Sequence, residues 1–391
     1  MNKIGMACAT LNNYGSLLQT YALQEVVRMH GFNPEIIRYQ EPVWRKIRRM
    51  KNIEYAKVSI GKLLLSKLPM PGSGLDKQKY KERANSFEEF RKANLHFSET
   101  CRSMGDLREL AKQYSLVLLG SDQLWQPMNL LMDFYTLSFV PDYVTKAAYA
   151  ASFGVSIIPN SMQRAYKSYI SRFDYLSCRE ESGVKLVREL VGREAKLVCD
   201  PTLLMDSGQW QAIISDNVKV DGDYVFCYFL GNNPNHRELV KQWRNETGLK
   251  IVALPHIVEY LRSDEGYADL TPFNVGPAEF LYLIKHAAYV FTDSFHASVF
   301  SLLFHKQFFV FDRFENGKGH STTSRIETLL GVVGKKERLI RNTEEALASF
   351  PALCDIDYLD IDKKLEIFRQ FSHNFLKEML DGVTKNGKEN C

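Results

Sequence analysis

The stretch that decides the fold is Ala287-Ala-Tyr-Val-Phe-Thr-Asp-Ser-Phe-His296, which continues as Ala297-Ser-Val-Phe-Ser-Leu-Leu-Phe304. Its short apolar run, Tyr289 to Phe291, is typical of a buried parallel strand. Small polar residues follow the run, and an apolar pattern of helical period begins at Phe295. The stretch therefore predicts a strand, a tight loop and a helix, which together form the repeating unit of an open α/β sheet.

Asp293, Ser294 and His296 fall at the carboxyl end of this strand and in the first turn of the helix. Ligands of open α/β sheets bind in the crevice at that end, and a helix N-terminus favours anions. Histidine is the side chain that titrates near neutral pH, so His296 is a candidate acid or base beside an anionic substrate. From this stretch alone, a capping or packing role for His296 is an equally good interpretation.

The composition of the 391-residue chain is that of a soluble globular protein, with 45% hydrophobic and 25% charged residues. The length predicts two domains. The net charge of +4 is too small to indicate a nucleic-acid partner, and no apolar run is long enough to span a membrane. The N-terminus has no apolar signal-peptide core, and the seven cysteines show no metal-ligand spacing. We therefore expect a cytoplasmic protein with reduced thiols and no metal.

Two blocks of alternating strand and helix patterns follow each other and predict two parallel sheets in an α/β fold. The first block predicts an N-terminal Rossmann-like domain over residues 1–207, and the second a C-terminal one over residues 222–360. The polar, turn-rich segment from Asp206 to Asp223 is the predicted boundary. A helical tail, 361–391, could pack on either domain. Strands are predicted at 3–9, 35–39, 115–120, 146–152, 175–178, 196–199, 224–230, 250–254, 289–291 and 307–311.

The segment 44–92 interrupts the first block with a basic, amphipathic pattern. Arg45-Lys-Ile-Arg-Arg49 is followed by lysines interleaved with aliphatic residues as far as Lys67. Such a stretch can lie on an anionic membrane surface. A solvated helical excursion packed on the sheet is the alternative interpretation, so contact of 44–67 with the inner face of the cytoplasmic membrane stays a hypothesis.

Several short motifs follow one another along residues 3–330. They are Asn12-Asn-Tyr-Gly-Ser-Leu-Leu-Gln-Thr-Tyr-Ala-Leu-Gln24, Gly120-Ser-Asp-Gln-Leu-Trp125, Ala148-Tyr-Ala-Ala-Ser-Phe-Gly154, Leu176-Ser-Cys-Arg-Glu-Glu-Ser-Gly183, Asp200-Pro-Thr-Leu-Leu204, Thr292-Asp-Ser-Phe-His296 and Ser324-Arg-Ile326. Each motif is weak alone, but together the chain resembles the polysaccharide pyruvyl transferase family. Two departures are Ala297, where many relatives have glycine, and Phe304-His-Lys-Gln307, which replaces a commoner Phe-Gly-Lys-Pro turn.

The resemblance implies a glycosyltransferase-B-like fold, in which the two Rossmann-like domains face each other across a cleft. It also implies transfer of pyruvate from phosphoenolpyruvate, a co-substrate and not a bound cofactor, to a sugar of a cell-surface polysaccharide or its lipid-linked precursor. An undecaprenyl-diphosphate-linked oligosaccharide is one acceptor of this kind. The products are a pyruvate ketal and phosphate. The alternatives are a sugar-nucleotide-dependent glycosyltransferase and a non-catalytic binding protein of an envelope glycan pathway.

Forming a ketal from an enol phosphate needs clamps for two anionic groups, a proton for the methylene carbon and a base for the sugar hydroxyls. With the resemblance added, His296 is the predicted acid or base. Arg179 directly follows the strand 175–178 and is the second predicted catalytic residue, because its planar fork matches a carboxylate or phosphate. A structural ion pair of Arg179 with Glu180 or Asp200 is the alternative interpretation.

Further predicted site residues lie in loops at strand ends. The donor side, on the C-terminal domain, combines a helix start with cations around a polar loop, and the acceptor side offers hydroxyl-binding groups. The donor-binding predictions are Ser294, Asp293, Arg313, Lys318, His320 and Arg325. The acceptor-binding predictions are Asn13, Tyr14, Asp122, Gln123 and Trp125. Trp125 is predicted to stack on a sugar, although interdomain packing explains it equally well.

Overall fold

The computed structural model describes residues 2–43, 45, 74–130, 133–256, 261–313, 320–342, 346 and 355–386. Its strands are β1 (Lys3–Ala7), β2 (Asn33–Tyr39), β3 (Phe97–Cys101), β4 (Leu116–Leu119), β5 (Thr145–Ala151), β6 (Tyr175–Cys178), β7 (Lys196–Leu197), β8 (Tyr224–Tyr228), β9 (Lys250–Ala253), β10 (Tyr289–Thr292), β11 (Gln307–Phe311) and β12 (Leu339–Ile340). Its α-helices are α1 (Tyr14–Met29), α2 (Gly74–Asn94), α3 (Met104–Ala111), α4 (Pro127–Leu130), α5 (Asn160–Ile170), α6 (Glu181–Val191), α7 (Pro201–Leu204), α8 (Ser207–Gln211), α9 (Pro234–Thr247), α10 (Pro277–His286), α11 (Phe295–Leu303), α12 (His320–Val332) and α13 (Tyr358–Asn386).

The first domain contains a seven-stranded sheet in the order β3-β2-β1-β4-β5-β6-β7, and all its pairings are parallel. After β1 the chain adds strands on one side, and from β4 onwards it adds them on the other. The strand order therefore reverses between β1 and β4. Ligands of open parallel sheets bind at the carboxyl ends of the strands that flank such a reversal.

The second domain contains a five-stranded parallel sheet in the order β12-β11-β10-β8-β9. Its central strands are nearly continuous apolar runs, because helices cover both faces. Here the strand order reverses between β8 and β10. The stretch quoted at the outset forms β10, a tight loop and α11, and it therefore lies at this reversal.

Helix α2 belongs to the first domain in sequence but reaches the second. The guanidinium of Arg83 is fully buried there and donates three hydrogen bonds to backbone carbonyls. The acceptors are the oxygens of Phe273 at 3.0 Å, Pro255 at 2.8 Å and Pro272 at 3.1 Å. A fully buried arginine that satisfies three carbonyls ties the two domains together.

Helix α13 makes the reverse connection. It packs against α12 of the second domain and then runs onto the first domain. There the Ser372 hydroxyl accepts a hydrogen bond from the backbone N–H of Cys199 at 2.9 Å, and Arg369 donates to the carbonyl of Leu203 at 2.7 Å. The tail thus contacts both domains.

The predicted α/β fold with two parallel sheets is confirmed, and every predicted strand is present. Strands β3 and β12 are additional to the prediction. The chain passes from one sheet to the other between Leu197 and Tyr224. Of the basic segment 44–92, residues 46–73 lie outside the described residues. No helix in the described part of the chain has the length and hydropathy needed to cross a membrane.

Candidate active site

A cavity of about 380 Å³ lies where the carboxyl ends of the two sheets face each other. The first domain lines it with the loops after β1 and β4, and the second with the ends of β8, β10 and β11. These loops flank the strand reversals of both sheets. The predicted site residues that line it are Asn13, Asp122, Gln123, Ser294, His296, Arg313 and Arg325.

His296 is presented by the first turn of α11. Ser294 caps this helix, with its hydroxyl accepting from the N–H of Ala297 at 3.4 Å. The imidazole is largely buried, and its Nε2 lies 3.7 Å from Oδ2 of Asp200. On the other side the ring lies so close to Gly15 that a Cβ there would come within 1.9 Å of Nδ1. His296 belongs to the second domain and both neighbours to the first, so the imidazole sits at the domain interface.

Asp200 is the carboxylate at the centre of the site. Its Oδ1 accepts from the backbone N–H of Thr202 at 3.0 Å and from the Thr202 hydroxyl at 2.7 Å. Its Oδ2 accepts from Ser121 at 2.8 Å and from Arg179 at 2.7 Å. Burial opposes ionisation, but His296, Arg179 and these hydrogen bonds hold the pKa of Asp200 well below its usual range. Asp200 is therefore a fixed negative charge.

Arg179 lies behind the cavity wall. Its side chain is only 1% exposed, and besides the bond to Asp200 it approaches Asp122 at 3.8 Å and Glu180 at 4.0 Å. The guanidinium also lies over the ring of Phe295, 4.5 Å from the centroid. Among the described residues Arg179 does not line the cavity, although Asp122 and Phe295 do. The geometry is that of the structural ion pair with Asp200, and it shows no direct clamp on a ligand.

Asp122 presents its carboxylate to the cavity from the loop after β4. Its backbone has a φ of 81°, which few residues other than glycine adopt and which commonly marks a functional site. Oδ2 accepts from the hydroxyl of Ser16 at 2.6 Å. Burial opposes ionisation, but Arg179 and His296 keep the pKa of Asp122 below its usual range. The cavity therefore contains a carboxylate charge beside the imidazole.

Two arginines of the second domain line the same cavity. Arg313 donates to the backbone carbonyl of Asp293 at 3.1 Å. Arg325 is buried, and Gln123 accepts from it at 2.7 Å when the amide is oriented to satisfy both of its neighbours. Burial and the neighbouring Arg179 lower the pKa of Arg325 to about 9. Since this value is above 7, Arg325 is still a cation at neutral pH, and the two arginines suit an anionic ligand.

The carboxylate of Asp293 is buried and is not among the described residues that line the cavity. Its two oxygens accept from the backbone N–H groups of Leu230 at 2.6 Å and Gly231 at 2.7 Å. A side chain at Gly231 would press on Arg313 and Asp293. Asp293 thus positions the loop after β8, and its burial places it outside the predicted donor contacts.

Two predicted acceptor residues are buried in cores. Tyr14 is 1% exposed, stacks on Phe280 and donates its hydroxyl to the carbonyl of Val275 at 3.0 Å. Trp125 is 1% exposed and packs against Phe153 and other aromatic rings of the first domain. Neither ring presents a face to a ligand, so the predicted sugar contacts of Tyr14 and Trp125 are wrong.

Three predicted site residues remain, Asn13, Lys318 and His320. Asn13 caps α1 by accepting from the N–H of Ser16 at 3.1 Å, and it lines the cavity. Lys318 and the side chain of His320 lie outside the described residues. No group of His, Cys, Asp and Glu within the described ranges is arranged to hold a metal ion.

Sequence reasoning missed the roles of Gly15, Ser16 and Asp200. Gly15 lies in the motif that begins at Asn12, but nothing in that motif shows the close approach of His296. The signal at Asp200 was present, since Asp-Pro-Thr is a helix start with a capping carboxylate and proline in the first turn.

A family model described as polysaccharide pyruvyl transferase matches residues 13–315. The chain belongs to the polysaccharide pyruvyl transferase family. The matched range includes Gly15, Arg179, Asp200 and His296. None of the curated protein sequences compared with the chain is a match.

Solved structures with the same fold cover almost the whole of this pyruvyl transferase family member. A UDP-N-acetylglucosamine 2-epimerase has a TM-score of 0.53 at 9% identity, over 98% of this chain and 96% of its own. The epimerase from Rickettsia bellii has 0.51 at 12%, over 98% of each chain. UGT89C1 from Arabidopsis thaliana has 0.50 at 8%, over 98% and 99%. At these identities the likeness concerns the fold alone, which is glycosyltransferase-B-like with two Rossmann-like domains.

Proposed function

We propose that this transferase moves pyruvate from phosphoenolpyruvate to two hydroxyls of one sugar in a cell-surface polysaccharide or its lipid-linked precursor. The observation that supports it is one cavity in which a histidine, two arginines and a carboxylate from facing domains come together. The arginines suit a donor with two anionic groups, and the carboxylate and amides suit a hydroxylated acceptor. Family membership supplies the reaction class.

The reaction balances without an oxidant or reductant. The methylene carbon of the donor gains a proton and becomes a methyl group, while its central carbon forms bonds to two sugar oxygens. The bond between that carbon and the phosphate oxygen breaks. The two hydroxyls lose two protons in total. One proton is equivalent to the one that the methylene carbon gains, and the other leaves with phosphate.

The described residues divide these tasks. Arg313 and Arg325 bind the carboxylate and phosphate of the donor, since arginine matches both groups bidentately. His296 moves a proton at the reacting atoms. On the other side of the cavity, Asp122 accepts hydrogen bonds from sugar hydroxyls, and the amide of Gln123 can accept or donate them.

Phosphoenolpyruvate should be consumed only with an acceptor present. The assay incubates the protein with phosphoenolpyruvate and a panel of soluble and lipid-linked glycans, and it follows phosphate release together with glycan mass. The expected product gains the mass of pyruvic acid less one water, in proportion to phosphate. Consumption of a sugar nucleotide with release of nucleotide, and none of phosphoenolpyruvate, would overturn the proposal.

The substitution Arg325→Gln is expected to lower kcat/KM for phosphoenolpyruvate. A lost charge-assisted hydrogen bond costs about 1–3 kcal/mol, which should appear in kcat/KM for the donor and mainly as a higher KM. Arg341→Gln is the matched control, because Arg341 is an exposed arginine that pairs with Glu327. Equal donor saturation curves for the two variants would remove Arg325 from the donor site.

A lipid-linked acceptor would be reached at a membrane surface, and the basic segment 44–67 is the proposed contact. Arg45 pairs with Asp133 at 3.2 Å, so the test leaves it intact. Replacing Lys46, Arg48 and Arg49 by glutamine should weaken binding to anionic vesicles, by about 1 kcal/mol for each cation. Activity on a soluble acceptor should not change.

The matched control for vesicle binding replaces three exposed lysines elsewhere, Lys112, Lys185 and Lys219. Binding of the wild-type protein should fall as salt rises, because salt screens exposed charges. A wild-type protein that ignores phosphatidylserine vesicles at low salt, or a control that loses as much binding, would remove the membrane contact from the proposal.

A further inference from the structure

The two ring nitrogens of His296 have different surroundings. Nε2 is buried, makes no hydrogen bond in this structure, and lies 3.7 Å from Oδ2 of Asp200. Nδ1 faces Gly15, and both residues line the cavity. A histidine that transfers protons normally has its other nitrogen held by a carboxylate or carbonyl, which fixes the tautomer. Nε2 is therefore the nitrogen placed to be held by a carboxylate, and Nδ1 is the nitrogen placed to react.

Asp200 is suited to hold Nε2. Four hydrogen bonds from three residues fix its carboxylate, two from Thr202, one from Ser121 and one from Arg179. A separation of 3.7 Å is about 1 Å longer than a good hydrogen bond. Such contacts commonly shorten when substrate binds. Here shortening needs only a small approach of the two domains, since the histidine and the carboxylate lie on opposite sides of the interface.

Gly15 is suited to leave Nδ1 accessible. Any side chain at position 15 would overlap the ring, with its Cβ at 1.9 Å from Nδ1 and 2.5 Å from Cε1. The backbone of Gly15 is ordinary first-turn helix, because its φ is not among the positive values. Glycine is therefore needed here for space and not for backbone conformation.

We propose that Nδ1 of His296 is the atom that exchanges the proton, that Asp200 is a positioning residue which holds Nε2 from the opposite domain, and that Gly15 keeps Nδ1 open to substrate. The inference rests on the proposed function for its chemistry. Its geometry makes the acid–base group complete only when both domains are in contact. The charged groups around the imidazole are Asp200, Asp122 and Arg179 on the first domain, with Arg313 and Arg325 on the second.

The tautomer provides a test that does not need turnover. Long-range proton–nitrogen NMR of the imidazoles, assigned with a His296→Gln variant, should show the His296 proton on Nε2 in the wild-type protein. Asp200→Asn should shift the population towards Nδ1–H. A wild-type His296 with its proton on Nδ1, or a population that Asp200→Asn leaves unmoved, would overturn the inference.

Two kinetic variants separate positioning from structure. Thr202→Val removes one hydroxyl from Asp200 but keeps its pair with Arg179, so it remains testable if Asp200→Asn does not fold. Both variants should lower kcat with little change in the KM for phosphoenolpyruvate. Lower thermal stability with an unchanged kcat would reduce Asp200 to a structural partner of Arg179.

Gly15→Ala should lower kcat by about a hundredfold or more, which is the scale of a lost acid–base contribution. Gly105→Ala is the matched control. Both glycines are the second residue of a helix, but a Cβ at Gly105 would meet only the Ser103 hydroxyl at 3.4 Å. Equal activity of the two variants would overturn the role of Gly15. If pyruvyl transfer itself is not found, the NMR result still decides whether Asp200 orients His296.

Discussion

Alanine in place of His296 is expected to reduce kcat by about a hundredfold or more while the protein stays folded. A side chain positioned for proton transfer contributes roughly 10²–10⁴ in rate. The cost in stability should be small, because Nε2 makes no hydrogen bond and the ring borders a cavity. Asp200 keeps its other donors when the imidazole is removed.

The measurement compares steady-state rates and thermal melting of His296→Ala with those of wild type. His286→Ala is the control, since His286 is an exposed histidine at the end of α10. We expect it to retain full activity. A folded His296→Ala protein that turns over at close to the wild-type rate would show that another group moves the proton.

Replacing Arg179 by methionine is expected to lower the free energy of unfolding by about 3–5 kcal/mol. The substitution keeps much of the volume but leaves the buried carboxylates of Asp200 and Glu180 without their cation. Burial raises the pKa of Glu180 even with Arg179 beside it, so removing this cation disfavours the ionised carboxylate further. Removing one partner of a buried pair is costly because the other charge stays desolvated.

Denaturant unfolding measures this effect, with Arg188→Met as the control. Arg188 lies on α6, and its exposed guanidinium pairs with Glu194 at 2.8 Å. An exposed pair is worth at most about 1 kcal/mol, so the control should unfold almost like wild type. Arg179→Lys should retain more stability than Arg179→Met but should still reduce turnover, because an ammonium cannot contact both Asp200 and Asp122 as the planar fork does. If Arg179→Met is as stable as the control, the buried ion pair is not what supports the site.

The strands that the sequence revealed are those buried on both faces of a sheet. Strand β10 and its neighbours are continuous apolar runs, so their composition alone identifies them. Strand β3, Phe97-Ser-Glu-Thr-Cys101, is polar because it lies at the edge of its sheet and pairs only with β2. Strand β12 is two residues long and carries no pattern at all.

The sequence predicts a cavity residue correctly where the residue's place after a parallel strand is enough to bring it to the cavity. Asn13, Asp122 and His296 directly follow or nearly follow parallel strands, and parallel strands bring their carboxyl ends to one edge. Side-chain direction is a different matter, because packing between domains decides it. Tyr14 turns into the interdomain core against Phe280, and no local pattern in its loop distinguishes this orientation from one towards the cavity.

The pairing of Asp200 with His296 depends on contact between residues far apart in the chain. Ser121, Arg179 and His296 all converge on this carboxylate, yet each comes from a different strand-end loop and one comes from the other domain. Each of these three segments stands out in the sequence as a motif. The sequence could not show that they meet at one oxygen atom, since that requires the relative placement of the two sheets.

Helices α2 and α13 have a consequence for the modularity of the chain. Each crosses to the other half, α2 through the buried guanidinium of Arg83 and α13 through Ser372 and Arg369. A chimera that joins the halves of two relatives between Leu197 and Tyr224 would pair each crossing helix with a foreign surface. Domain exchange between relatives with this arrangement therefore requires four junctions, so that α2 is inherited with the second half and α13 with the first. They lie before α2, after α2, between the halves and before α13.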